Sequence, residues 1–241
     1  MNVELRDPNI IMKLSRLGSF HQSRLSFLRS FLNEFKDWDY KRDLFDYDDL
    51  IGGDKYVTKD VPHFITVPTT SGTGSEVGRS AIISEDNTKK KRILFSPKLI
   101  ARIVFADPLL TMELPSFITA ATGMDALTHN MEAYLANGFH PMCDGIALEG
   151  ISLISDSLLK ATKKPDVKSR AKMLLASLMG AVAFQKGLGI VHSLSHPMSS
   201  LLDTHHGLAN AINLPYGMAV SYTHLRAHET SLHLVCRLLL E

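Results

Sequence analysis

The chain is poor in the features that would mark a secreted scaffold, a nucleic-acid binder or a membrane protein. It has two cysteines, Cys143 and Cys236, in 241 residues. That is too few for a disulfide framework, so a reducing cytoplasm is the expected compartment. Neither charge sign dominates: 26 Lys and Arg against 25 Asp and Glu give a net +1, which is no electrostatic footprint for nucleic acid. No uninterrupted apolar run reaches the roughly 18 residues of a membrane span, so no membrane partner is expected. There is one tryptophan, no internal repeat and no low-complexity segment. Histidine is plentiful, with 11 residues, and the 45% hydrophobic content suits a globular chain with a real core.

The chain divides into four parts. Apolar residues recur at helical intervals from Met12 to Phe35 with Lys, Arg and Ser between them, which predicts a basic amphipathic helix. Such a helix suits a transit peptide, a membrane surface or simple docking on the rest of the chain; Glu4 and Asp7 argue against targeting. Residues 46–107 read as strands and turns, with His63–Pro68, Arg79–Ile83 and a buried strand over Ile100–Ala106. Helical periodicity then predicts helices near 116–136, 145–161, 167–186 and 188–203, punctuated by Gly138, Pro165 and Gly187.

Two patterns carry chemistry. Thr69-Thr70-Ser71-Gly72-Thr73-Gly74-Ser75-Glu76 directly follows a predicted strand and offers hydroxyls and accessible backbone amides to a phosphate or ribose. The same run also makes an ordinary tight loop, and spacing does not choose between the two. Asp125 and His129 are one helical turn apart, and His192 and His196 repeat that spacing. His206 follows at the mouth of a Gly-containing turn. A carboxylate with several imidazoles suits Fe(II), Zn(II) or Mn(II). Taken singly, each pair also reads as an ion pair, a cap or a satisfied buried histidine.

The strings PTTSGTGSE (68–76), ADPLLTMELP (106–115), TAATGMDALTHNMEAY (119–134) and GLGIVHSLSHPMSSLLDTHHGLANAINLPYGM (187–218) resemble the iron-containing alcohol dehydrogenases of the dehydroquinate synthase-like fold. The resemblance implies a dinucleotide-binding α/β half, a helical half and a metal, Fe(II) or Zn(II), in the cleft between them. By position it makes Asp125, His129, His192 and His206 the metal ligands and places His196 beside nicotinamide and substrate, as the proton relay. Thr69, Thr70, Gly72 and Thr73 match the loop that contacts NAD or NADP, and His205 is a bystander. Lys91 falls where the family often has a lysine near the cofactor; it reads equally as a solvated member of a lysine run. The implied activity is reversible oxidation of a small-molecule alcohol to an aldehyde or ketone by hydride transfer, in an enzyme that is often oligomeric.

The expected organisation is a non-family segment over 1–45, a remnant of the dinucleotide-binding α/β domain over 46–107, a helical metal-binding domain over 108–219 and a foreign tail over 220–241. No GGGS-type pyrophosphate loop occurs in residues 1–67. The tail resembles read-through of a sequencing adapter, so His224, His228 and His233 are left out of the site. The alternatives are a truncated metal-binding helical module without dehydrogenase turnover, and a lyase on the same fold.

Overall fold

The computed structural model describes residues 11–15, 42–58, 64–85 and 91–225. Strands β1 (Ile11–Ser15), β2 (Phe64–Pro68) and β5 (Ile103–Val104) form a sheet in the order β1-β2-β5, parallel throughout. Strands β3 (Ser80–Ser84) and β4 (Lys91–Phe95) form a separate antiparallel pair. Five helices follow: α1 (Ser116–Leu135), α2 (Pro141–Lys163), α3 (Val167–Ala183), α4 (Ile190–Leu201) and α5 (His206–Leu225). Among the described residues, a small part of strands and short 3-10 turns precedes a mostly helical part. Among the described residues no single helix is long and apolar enough to cross a membrane.

Helix boundaries follow capping chemistry. Asp166 caps α3 by accepting from Ser169 N at 2.7 Å, while Ser169 Oγ accepts from Asp166 N, a reciprocal capping box. Helix α2 begins with Pro141 at its first position and is capped by His140 Nδ1, which accepts from Cys143 N at 3.2 Å. The apolar core lies where α1 meets its neighbours. Ala126, Ile154, Ala161, Met173 and Ala176 join α1, α2 and α3, while Met131, Ile151, Val191 and Leu214 join α1 and α2 to α4 and α5. Buried Arg170 of α3 donates to Thr119 Oγ1 at 2.7 Å and to Leu114 O at 3.1 Å, tying α3 to the start of α1.

Four expectations change. Residues 12–15, read as the start of an amphipathic helix, join Ile11 in β1, in register with β2 (Ile11 opposite Phe64, Ser15 opposite Pro68). Residues 16–41 lie outside the described residues. The Ile100–Ala106 run pairs through only two residues, and Ile100, Ile103 and Phe105 are exposed, so it is no buried strand. Its apolar side chains have no described helix over them, and a parallel strand buries both faces only when helices cover both. Strand β4 and helix α5 were not foreseen. His206, placed at a turn, is instead the first residue of α5.

Candidate metal centre

Helix α1 is central because small residues let its neighbours approach. A Cβ on Gly207, the second residue of α5, would overlap the Ala121 carbonyl, so only glycine allows that contact. Gly123 faces Leu158 and Met173 at similarly close range. The result brings α4 and α5 across the face of α1 that carries Asp125 and His129.

The side-chain atoms of Asp125, His192 and His206 lie within 4.8 Å of one another. Asp125 Oδ1 is the hub, 3.6 Å from His192 Nε2 and 3.6 Å from His206 Nε2. Two donors each about 2.1 Å from one tetrahedral cation stand roughly 3.4 Å apart, so both spacings fit. His129 flanks this group: its Nε2 is 3.9 Å from Asp125 Oδ1 and its ring stacks on that of His192, with centroids 4.5 Å apart. Asp125, His129 and His192 are buried, while His206 is half-buried. His196 is also half-buried, one turn after His192, with its ring centroid 5.1 Å from that of His206. His205 turns away to an edge contact with Phe117.

Two residues that spacing did not single out complete the centre. Asn210, one turn beyond His206, donates from Nδ2 to Asp125 Oδ1 at 2.7 Å and lies 3.2 Å from His192 Nε2 and 3.4 Å from His206 Nε2. Its amide therefore supplies a donor where three acceptors converge, the electrostatic role a cation fills, and its own Oδ1 is buried without a partner. The donor set thus fits a borderline divalent metal. Glu132 of α1 lies 2.6 Å from His192 Nδ1 on the far side of that ring. Both follow a candidate ligand by about one turn, Asn210 after His206 and Glu132 after His129, but an Asn or Glu on a helix carries no chemistry until its neighbours are known.

The electrostatics are those of a buried acid among bases. Burial pushes the Asp125 carboxyl up, but His129, His192 and His206 outweigh it and hold the group well below the usual carboxylate range. Burial lowers His192, yet the nearby carboxylates of Asp125 and Glu132 win and raise it to about 9. For His129 burial dominates and its imidazole is pushed down, against the pull of Asp125 and of the nearby Gly72 backbone. Its Nδ1 meets no partner within hydrogen-bonding geometry.

The Thr-rich loop leaves the C-terminal end of β2, next to the C-terminal end of β1. That edge of a parallel sheet is where open α/β folds bind ligands. Thr69 and Thr70 are half-buried and Thr73 is exposed. Ser71 Oγ is buried without a partner, an idle donor that fits a ribose or phosphate. Gly72 has a further reason to be glycine: its Cβ would come 2.8 Å from Thr122 Cβ, so the loop rests on α1 three residues before Asp125. Gly74 adopts φ +57°, a left-handed conformation that glycine tolerates, against Ser177 and Ala181 of α3. Lys91 opens β4 opposite Ser84, in the pair separate from the parallel sheet. His228 and His233 lie outside the described residues.

The model of the iron-containing alcohol dehydrogenase matches residues 32–108, and that of the C-terminal part of the same family matches residues 119–240. The chain belongs to the iron-containing alcohol dehydrogenase family. The matched spans reach into 32–45 and past Val220, beyond the strings quoted above. A 4-hydroxybutyrate dehydrogenase of Cupriavidus necator is 44% identical over 182 residues, covering 73% of this chain and 47% of the relative. The crystal structure of a 1,3-propanediol oxidoreductase matches with TM-score 0.77 and 34% identity, over 91% of this chain and 54% of that one. A sulfoacetaldehyde reductase from Bifidobacterium kashiwanohense in complex with NAD+ matches with TM-score 0.62 and 32% identity, over 66% and 44%. The fold is therefore dehydroquinate synthase-like, and the chain spans about half the length of the relatives it matches.

Proposed function

We propose that this chain forms the metal-binding centre and part of the cofactor site of an NAD(P)-linked alcohol dehydrogenase that interconverts a small alcohol with its aldehyde or ketone in the cytoplasm. The observation that carries the reading is the convergence of Asp125 Oδ1, His192 Nε2 and His206 Nε2 in one family-matched helical domain. Asp125, His192, His206 and the flanking His129 hold Fe(II), with Zn(II) as the competing ion. Thr69, Thr70, Gly72, Thr73 and Lys91 serve the cofactor. When bound, the metal supplies Lewis acidity that brings a hydroxyl pKa toward neutrality, and the nicotinamide supplies a hydride acceptor.

The chain's own residues set the conditions. With a divalent cation bound, one carboxylate and three neutral imidazoles would leave a net +1 at the site, which favours an anionic oxygen. The apolar packing around α1 keeps water from the buried ligands, while half-buried His196 lies between the centre and the surface. An imidazole accepts at one nitrogen and donates at the other, so His196 carries the alcohol proton outward. The relatives named above are enzymes of 4-hydroxybutyrate, 1,3-propanediol and sulfoacetaldehyde, and the substrate class proposed is a small alcohol or aldehyde.

A second reading is a metal-binding helical module without turnover, because the three converging donors all come from helices α1, α4 and α5. Metal analysis with an NADH fluorescence titration decides between them. The dehydrogenase reading expects about one equivalent of metal, its loss in His206→Ala, and a saturable NADH response. Metal binding without any NADH response leaves the module. Wild-type metal content in both His192→Ala and His206→Ala overturns the ligand assignment.

A further inference from the structure

Helix α4 lacks a cap of its own. Its N-cap residue is Gly189, which has no side chain to accept from the first free N–H groups. Those groups are satisfied from another helix. Glu132 Oε1 accepts from Val191 N at 2.6 Å, and Glu132 Oε2 accepts from His192 N at 3.3 Å. The same Oε2 lies 2.6 Å from His192 Nδ1. A Cβ on residue 189 would approach Glu132 Oε1 to 2.6 Å, so the carboxylate occupies the space that a capping side chain would need. Glu132 is 4% exposed, so little water competes for it.

We infer that Glu132 is a positioning residue for the metal centre: it caps α4 from α1 and, through the same carboxylate, holds His192 with its proton on Nδ1 and the Nε2 lone pair turned toward Asp125 and His206. An ionised carboxylate only accepts hydrogen bonds, so the nitrogen facing it carries the hydrogen and the opposite nitrogen is left as the donor atom for a metal. That opposite nitrogen is the one 3.6 Å from Asp125 Oδ1. Ring and helix are fixed together, because Val191 N, His192 N and His192 Nδ1 all point at one group. A negative partner behind the ring also makes Nε2 a stronger electron-pair donor. This rests on the metal reading proposed above.

The test uses Co(II) as the probe on the metal-stripped full chain, comparing wild type with Glu132→Gln. The amide keeps the size but has a single acceptor oxygen, so it can accept from Val191 N or from the His192 side and not from both, and it places no negative charge behind His192. Calorimetric titration is expected to show Co(II) affinity falling by roughly 10–100-fold, with an altered visible absorption band, while the metal-free far-UV spectrum stays that of the wild type. A Glu132→Gln variant with wild-type affinity and absorption, even one that melts earlier, overturns the inference and leaves Glu132 as a cap alone. Nitrogen-15 NMR of the Zn(II)-loaded wild type tests it without a variant: His192 is expected to bind through Nε2 with a retained, downfield Nδ1–H, and binding through Nδ1 overturns it. A wild-type chain that takes up no Co(II) overturns the metal reading and this inference together, whereas equal binding by both proteins overturns the inference alone.

Discussion

Asp125 Oδ1 is the atom that three imidazoles share, at 3.6, 3.6 and 3.9 Å. Its charge, more than its shape, keeps buried His192 basic and would balance a dication. Asp125→Asn preserves shape and removes charge, so metal content by plasma emission is expected to fall below a tenth of the wild-type value. His196→Ala is expected to keep the full metal content while turnover drops by roughly 10²-fold, the scale of a lost proton-transfer group. At this scale the sequence was most informative where chemistry is carried by residue type. Two such one-turn pairs, Asp125 with His129 and His192 with His196, stood out as candidates in the sequence, although either pair alone also reads as an ion pair or a cap. Glu132 and Asn210 were invisible because their roles exist only across helix interfaces, where α1 meets α4 and α5.

Between elements, two glycines that look alike in the sequence differ in consequence. A Cβ at Gly207 meets the rigid Ala121 backbone, whereas one at Gly123 meets the movable ends of Leu158 and Met173. Gly207→Ala is therefore expected to cost about 3 kcal/mol in urea unfolding and to loosen His206; Gly123→Ala should cost less, since long side chains can yield. Asp166 makes a pH-dependent element contact. Its salt bridge with Lys160 at 2.5 Å, together with the bonds to Ser169, holds its carboxyl below the ordinary 3.8. A carboxyl depressed in the folded state stabilises above 3.8 and loses that effect as the pH falls through the lower folded value. Asp166→Ala is thus expected to lower Tm at neutral pH, with the difference from wild type closing as the pH is taken down from 3.8. Helices α1, α2 and α3 were readable from their periodicity: Pro165-Asp166 opens α3 at the expected residue, whereas α2 begins at Pro141, ahead of the expected 145. Strand β1 was misread because Ile11, Met12 and Leu14 are too short a run to distinguish strand from helix, and the deciding contact is with β2, some 50 residues away.

For the whole molecule, a ligand that binds only the folded state adds stability by mass action. At a free Zn(II) concentration 1,000-fold above Kd, the gain is about 4 kcal/mol. For a domain of this size that is roughly 8–16 °C in Tm, which differential scanning fluorimetry with and without EDTA would show. No change in Tm would count against a metal centre formed on folding. The two-part architecture was expected from the shift in texture near Leu114, since strand-like runs give way there to long helical periods. How β1 joins β2 was not, because parallel pairing leaves no local turn signal for the sequence to display.

Gly72 lies so near Thr122 that no side chain cushions the Thr-rich loop from the helix bearing Asp125 and His129. Under the function proposed above, the site of the dinucleotide and that of the cation would meet at this junction, and thermodynamic reciprocity would apply: whatever factor a bound cation imposed on dinucleotide affinity, the dinucleotide would impose on the cation.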